Sequence, residues 1–503
     1  MEKILLINPA HTYYKRTYRA SSQGSIGLPI GLLYIATIME SMGCKVEILD
    51  SLVSEFSSIE QTKDYILHGI SESRLSEIIK KKQPDIIGIS SQFSIQEENV
   101  LKTAKLVKNI NSSILVIAGG ANVSCRGEYL LRNSGIDIGV KGEGENTIRE
   151  IIEYFRKKKN LAEIRGVFYR KGNQIVESEN QPGIENLDEI PLPAYHLVDM
   201  EKYLTLYKKG IFTRDRDVKR NIAIITSRGC PYDCIFCSIA QNMGKKWRAH
   251  SSEYVIKHIQ TLAKTYKTRH LHFEDDNLLF SHQRFLPILD VLSTENISWD
   301  TPNGIRVDLS IDENFLQKIR LSGCKSLTIG VESADHDVLN RIVKKNLKLE
   351  DVEEFARRCQ KVKLPLRAFF ILGFPGETIK TMRKTMDFAI YLLKRYNVEI
   401  INFIATPLYG TELYRLCAEN NYFSQEISAQ ALSESTVSDG RCLIKTDSFS
   451  SKDVERLSQE LTAKAYRIML GKSLLHPFSI LKRAGNLYIF FRTIKRIFPR
   501  KYS

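Results

Sequence analysis

No run of roughly 18 consecutive apolar residues occurs in the sequence, so no segment reads as a membrane-spanning helix. The amino terminus lacks the basic start and apolar stretch of a secretory signal, since Met1-Glu2-Lys3 leads directly into a short strand-like run at 4–7. The nine cysteines are odd in number and scattered, which supplies no disulfide framework and predicts a reducing, cytoplasmic setting with thiols or metal ligands. Acidic residues are missing altogether after Glu460. Over the same stretch Lys464, Arg467, Lys472, Lys482, Arg483, Arg492, Lys495, Arg496, Arg500 and Lys501 are spread among aromatic and aliphatic residues. Most of the formal +15 is therefore a property of the tail. Such a tail, with Phe478, Leu481, Ile489 and Phe490 between its cations, reads either as a peripheral contact with an anionic membrane or as a helix packed on the body of the protein. No nucleic-acid partner is expected. Internal repeats and low-complexity tracts are also absent.

A chain of 503 residues with 43% hydrophobic content is long enough for two or three domains. Over the first 150 residues, apolar runs at 4–7, 46–49, 86–89 and 114–118 alternate with helical patterns. That rhythm predicts parallel strands with crossovers, hence an α/β doubly wound sheet. Ligands of such sheets sit beyond the carboxyl ends of the strands. The loops there are Ser90-Ser91-Gln92, Gly119-Gly120 and Gly142-Glu143-Gly144-Glu145, which read either as plain turns or as ligand-facing loops. From about 161 to 215 the rhythm breaks, with a hairpin-like Lys171-Gly172-Asn173 and the link Pro191-Leu192-Pro193, and we read this stretch as a connecting segment. Alternation resumes at Ile222 through six strand-like runs up to about residue 405. This predicts a partial (β/α)6 barrel of TIM type, with chemistry at the carboxyl ends of its strands. A helical carboxyl-terminal region follows from 416.

Directly after the first barrel strand stands Ser227-Arg228-Gly229-Cys230-Pro231-Tyr232-Asp233-Cys234-Ile235-Phe236-Cys237. Three thiols on so short a loop can ligate three irons of a cubane and leave the fourth open. A zinc site normally closes with four ligands, and no fourth Cys or His follows at finger spacing, His250 being the nearest histidine downstream.

This CxxxCxxC loop, with an aromatic before its last Cys, resembles the radical S-adenosylmethionine (SAM) superfamily over roughly 222–414. The resemblance implies a [4Fe–4S] cluster on Cys230, Cys234 and Cys237 whose open iron chelates SAM. It also implies adenine packing by Phe236 and ammonium contact from Glu274, Asp275 or Asp276. This chain has Glu-Asp-Asp where Gly-Gly-Glu is common, so which of the three makes the contact stays open. Glu332-Ser333 resembles the ribose-contacting strand end, and the turn from Gly373 to Thr378 the segment that lies along adenine. Asn303 and Arg306 are further candidates, with a surface ion pair as the other reading of Arg306.

The first 195 residues resemble the cobalamin-binding (B12-binding) domain of cobalamin-dependent radical SAM enzymes. By that resemblance Ser90, Ser91, Gly119, Gly120, Gly142 and Glu143 contact the corrin or its nucleotide tail. The D-x-H-x-x-G motif that supplies a histidine to cobalt is absent, because none of the ten histidines has an Asp two residues before it. His11, in the loop after the first strand, is the remaining candidate beneath cobalt, its other reading being an ordinary solvent-exposed loop residue. The expected domains are 1–160 for cobalamin, 161–215 as connector, 216–415 as radical SAM barrel and 416–503 as helical basic region. The implied activity is methylation of an unactivated carbon or phosphorus on a small-molecule or lipid substrate, with a flavodoxin or ferredoxin as electron donor. Radical ring formation without net methylation is the alternative, and a cluster-containing sensor the non-enzymatic one. Methylthiolation of tRNA fits poorly, because relatives of that kind carry a second cluster on the amino-terminal domain, where only Cys44 and Cys125 occur.

Overall fold

The protein is described from a computed structural model covering residues 1–14, 27–55, 58–208, 220–437 and 440–474. Its amino-terminal strands are β1 (Lys3–Asn8), β2 (His11–Tyr14), β3 (Lys45–Asp50), β4 (Ile59–Gln61), β5 (Tyr65–His68), β6 (Ile86–Ser90), β7 (Leu115–Gly119), β8 (Ile138–Val140), β9 (Val167–Lys171) and β10 (Gln174–Glu177). The main sheet runs β3-β1-β6-β7-β8 with every pair parallel, so its order reverses between β1 and β6. On β1, Ile4 and Leu6 join one core with Ile86 and Ile138, while Leu5 and Ile7 join the other with Ile87 and Val116. A strand covered on both faces has no polar side, which is why these segments read as unbroken apolar runs. Each such side chain contributes about 1.5–3 kcal/mol by leaving water.

Two features depart from the sequence reading. The stretch 161–215 is not only a connector: β9 pairs antiparallel with β8, and β10 pairs antiparallel with β9, extending the sheet to seven strands. Three buried residues, Val167, Phe168 and Tyr169, carry that hairpin, and so short an apolar run cannot be told from linker by periodicity. In addition, β2, β5 and β4 form a separate antiparallel sheet, which places His11 in a strand opposite His68 and not in a loop.

The linker then runs along the second domain. Ala194 N–H donates to Leu33 O (3.2 Å), and buried Tyr195 meets His258 Nε2 through its hydroxyl (2.9 Å). That domain contains β11 (Asn221–Ile224), β12 (Ser227–Arg228), β13 (Arg248–Ala249), β14 (His270–Phe273), β15 (Ser298–Asp300), β16 (Cys324–Glu332), β17 (Leu366–Leu372) and β18 (Glu399–Ile404). Its six-stranded sheet follows chain order, β11-β14-β15-β16-β17-β18, all parallel, as a partial (β/α)6 barrel requires. Helix Ser451–Leu474 packs against helix Ile379–Tyr396 and the edge strand β18, with Asn402 Nδ2 donating to Ser458 Oγ (2.8 Å). Lys472 donates to Leu393 O (2.9 Å) at the end of that neighbouring helix, so part of the basic tail serves as a cap. The rest, from 475 on, lies outside the described residues. Among the described residues no helix is long and apolar enough to cross a membrane.

Candidate active site

The cysteine loop is a flap tied at its root. Ser227 and Arg228 of β12 pair with Ala249 and Arg248 of β13, so everything between them projects from the carboxyl end of β11. Gly229 has φ +81°, and a Cβ there would lie 2.4 Å from Lys246 O, so only glycine lets the two arms close. Ile235 is buried and hydrogen-bonded in both directions, its N–H to Val343 O (3.3 Å) and its carbonyl from Leu413 N–H (2.8 Å). This anchor leaves Cys234, on the preceding position, partly accessible, and Cys237 exposed. The three thiols do not converge to within 4.8 Å, as ligands of one ion would. Surrounding protein raises all three thiols, Cys237 to about 11, while the cations of Lys345 and Arg306 oppose that shift at Cys230 and Cys234.

Arg306 is therefore not a surface partner. Its guanidinium lies 3.7 Å from the Tyr232 ring centroid and donates to Lys345 O and Asn346 O, both at 2.6 Å. Lys345 in turn donates to Glu332 Oε1 (2.8 Å), and Glu332 is buried with φ +69° at the end of β16. Lys345, which sequence reasoning missed, sits in an ordinary-looking Lys344-Lys345 pair with no motif to flag it.

The three carboxylates after β14 separate by role. Asp275 is fully buried and accepts from Thr226 N–H (3.1 Å), Thr226 Oγ1 (2.8 Å) and Ser227 Oγ (2.5 Å), which fixes the root of the flap and turns it away from any ligand. Asp276 faces the thiols and accepts from Gly229 N–H, and burial together with Asp275 pushes it up to about 6. Glu274 is half-buried, and its carbonyl accepts from Asn303 Nδ2 (2.9 Å). Ser333 likewise turns inward, its Oγ 3.2 Å from Thr385 Oγ1 and accepting from Asp335 N–H.

On the far side, Gly373 (φ +94°) and Phe374 donate their N–H groups to the buried Glu377 carboxylate at 2.8 and 2.9 Å. Burial pushes Glu377 up to about 8. Phe236 lies 5.8 Å from buried Phe374, giving an apolar edge beside the cysteines.

At the carboxyl ends of the amino-terminal sheet, Ser90 closes β6 opposite Gly119 of β7. Ser91 is buried and accepts from Asn122 Nδ2 (3.1 Å), and Gly120 (φ +118°) would drive a Cβ to 2.7 Å from Ser91 O. These two therefore hold the loops together from behind. Glu143 also differs from its expected role: it binds Arg228 Nη1 (2.9 Å) and Arg248, while Glu145 binds Arg228 Nη2 (2.6 Å). The loop after β8 is thus clasped, through four buried charges, to the strands that root the cysteine flap. Gly142 (φ +72°) donates to Ser124 Oγ (2.9 Å) and faces a cleft of about 850 Å³ between the domains. The same cleft is lined by Cys125, Arg126, Gln241 and Tyr409. Arg126 stands between the Tyr129 and Tyr409 rings (4.0 and 3.7 Å) and pairs with Glu97 (3.1 Å). Phe93, after Ser91-Gln92, is 59% exposed at this end of the sheet. Neither was flagged by sequence, because a lone Arg or Phe after a strand carries no pattern.

A family model described as the radical SAM superfamily matches residues 224–389, and one described as the B12 binding domain matches 17–152. An uncharacterised methyltransferase of Pyrococcus horikoshii is 28% identical over 98% of this chain and 99% of its own length. The cytidylyl-2-hydroxyethylphosphonate methyltransferase of Streptomyces wedmorensis is 27% identical, covering 85% of this chain and 84% of its own. Among solved structures, the cobalamin-dependent S-adenosylmethionine radical enzyme OxsB, with aqua-cobalamin and S-adenosylmethionine bound, has a TM-score of 0.71 at 16% identity, covering 99% of this chain and 72% of that one. The radical S-adenosylmethionine methyltransferase TsrM of Kitasatospora setae has a TM-score of 0.65 at 18% identity, covering 83% and 77%.

Proposed function

The chain belongs to the cobalamin-dependent radical SAM methyltransferase family, and from that premise we propose that it methylates an unactivated carbon, or phosphorus, of a small-molecule or lipid substrate. Its cofactors are a [4Fe–4S] cluster, SAM and cobalamin. With these groups bound, the site would supply reductive cleavage of SAM, hydrogen removal from the substrate and methyl donation.

The residues present fit these groups. Cys230, Cys234 and Cys237 hold the cluster. Asp276 and Glu274 accept from the methionine ammonium, Glu332 from the ribose, and Phe236 with Gly373 flanks adenine. Ser90, Gly119 and Gly142 line the corrin site. Asp275, Ser333, Ser91, Gly120 and Glu143 act from behind by fixing the loops that carry these contacts. The barrel domain spans about 220–415, and the cobalamin domain extends to the end of β10.

The observation that carries this reading is the contact between the two sites. A Cβ on Gly142, in the loop after β8, would lie 3.6 Å from Asn242 O, in the short helix just beyond Cys237. The loop that ends the cobalamin sheet therefore abuts the segment just beyond the cysteine loop, which supports placing the two cofactors side by side for methyl transfer. A flavodoxin- or ferredoxin-class donor supplies the electron.

The test is incubation of the reconstituted protein with methyl-deuterated SAM, a reductant and extract from a deletion strain. A metabolite that acquires the labelled methyl while 5′-deoxyadenosine accumulates is the expected result. Curated relatives at 23% identity are named anaerobic magnesium-protoporphyrin IX monomethyl ester cyclases, so 5′-deoxyadenosine with an unlabelled product would favour rearrangement. No 5′-deoxyadenosine at all would favour a sensor.

A further inference from the structure

One buried cluster of metal-ligating side chains takes no part in the site just described. On the sheet face opposite Leu271, Phe273 and Trp299, the partial barrel carries His270 and His272 on β14 and Asp300 on β15. Among the described residues these three form the one group of His, Cys, Asp or Glu whose ligand atoms all lie within 4.8 Å of one another. His272 Nδ1 is 2.6 Å from Asp300 Oδ1, and His270 Nε2 is 3.6 Å from the same oxygen. The first is a hydrogen bond and would have to open by about 0.7 Å to reach the edge of about 3.3 Å between donors of a tetrahedral ion with bonds of about 2.0 Å, which the second already approaches.

The surroundings prepare the ring nitrogens for that use. The Ser298 hydroxyl donates to Arg269 O (3.2 Å), so its oxygen accepts from His270 Nδ1–H (2.8 Å). That hydrogen bond fixes the tautomer and turns the Nε2 lone pair toward the Asp300 carboxylate, the outer support a metal-ligating histidine receives. A divalent ion here would take the place of the protons that otherwise join the two imidazoles to the carboxylate.

A second observation is independent of the triad. Asn221 is 1% exposed and stands beside His270 in the β11–β14 register, yet neither its Oδ1 nor its Nδ2 has a partner. Ser326 is 3% exposed, stands beside Asp300 across β15–β16, and its Oγ is equally unpartnered. Buried polar groups left in this way cost about 1–3 kcal/mol each, and an ion bringing its own water supplies both a donor and an acceptor. A proton on His270 would satisfy Asp300 but leave Asn221 and Ser326 as they are.

We infer that His270, His272 and Asp300 form a second metal site inside the barrel, for a divalent ion of the zinc class, with water as its fourth ligand and Asn221 and Ser326 around it. Imidazole and carboxylate donors suit zinc. His270 and Asp300 are almost completely buried, and an ion held there would tie β14 to its neighbour β15.

The test is metal analysis of the full-length, cluster-replete protein after dialysis against zinc, together with zinc K-edge X-ray absorption. About one zinc per chain in addition to the iron, with only nitrogen and oxygen neighbours near 2.0–2.1 Å, is expected. His272→Ala and Asp300→Asn should each lower zinc content at least about tenfold while leaving iron unchanged. Should His272→Ala fail to fold, Asp300→Asn and the wild-type absorption spectrum carry the test. A sulfur shell near 2.3 Å would put the ion on the cysteine loop and overturn the assignment. So would zinc-free wild-type protein, or zinc retained in Asp300→Asn, and in the zinc-free case His270 holds a proton instead.

Discussion

At the scale of single residues, neighbours in sequence carry unlike tasks, and substitution should separate them. Cys234→Ala removes one of three cluster ligands, so cluster absorbance should largely vanish and 5′-deoxyadenosine formation with it; comparable SAM cleavage by that variant would refute the triad. Asp275→Ala should destabilise the fold, because it strands Thr226 N–H and two hydroxyls in a dry site at about 1–3 kcal/mol for each group. Asp276→Ala should leave the melting temperature nearly unchanged and weaken SAM binding, and calorimetric titration with SAM would read the difference. Equal effects of the two variants on stability would contradict the split. Glu377 gives a pH signature. Its folded value of about 8 exceeds the ordinary 4.5, so between those limits the folded chain holds a proton that the unfolded chain releases. Its contribution is complete below the lower value and is lost as pH rises through the upper one, at up to about 1.4 kcal/mol per pH unit. Glu377→Gln keeps an acceptor for Gly373 and Phe374 and cannot ionise. Its stability relative to wild type should therefore rise from pH 5 to pH 9, and a flat difference would show that Glu377 does not titrate there.

At the scale of elements, the clasp between the loop after β8 and the β12–β13 pair joins the two domains. Arg228 and Arg248 come from the strands that root the cysteine flap, Glu143 and Glu145 from the end of the cobalamin sheet, and all four side chains are at least 93% shielded. Breaking a buried ionic network by removing one partner costs about 3–5 kcal/mol, whereas removing both partners together costs far less. Arg228→Met should thus lower the unfolding midpoint sharply, and adding Glu145→Gln should recover part of the loss. Strictly additive losses in a double-mutant cycle would show that the two residues are not coupled. The clasp also explains what the sequence could and could not disclose. Gly142-Glu143-Gly144-Glu145 was legible as a strand-end loop, because glycine and position in the β/α rhythm mark such loops. That its carboxylates meet arginines roughly 80–100 residues later was not legible, since long-range pairing leaves no local pattern. The β9–β10 hairpin and the small sheet of β2, β4 and β5 escaped for a related reason: strands of three to five residues at an edge have too few positions to display a period.

At the scale of the whole molecule, the fold governs which groups can reach the lower face of cobalt. A histidine serving there must stand free at the carboxyl end of the cobalamin sheet, and His11 does not. It opens β2, is paired across to His68 of β5, and has its ring 6.3 Å from Tyr13. Burial lowers its basicity, with Asp50 opposing that shift and His68 adding to it. The β2–β5 pairing fixes the backbone of His11 in the small side sheet, apart from the main sheet whose strand ends would face the corrin. Without a D-x-H-x-x-G motif, no other histidine is offered at this edge by the sequence. Bound cob(II)alamin is therefore predicted to be base-off and free of histidine ligation from this chain. Electron paramagnetic resonance of the cobalamin-loaded protein reads this directly: no nitrogen superhyperfine splitting is expected, in wild type or in His11→Ala. Splitting in wild type that disappears in His11→Ala would mean that β2 yields to the metal, and failure of the protein to bind cobalamin at all would remove the amino-terminal half of the assignment while leaving the cluster barrel intact.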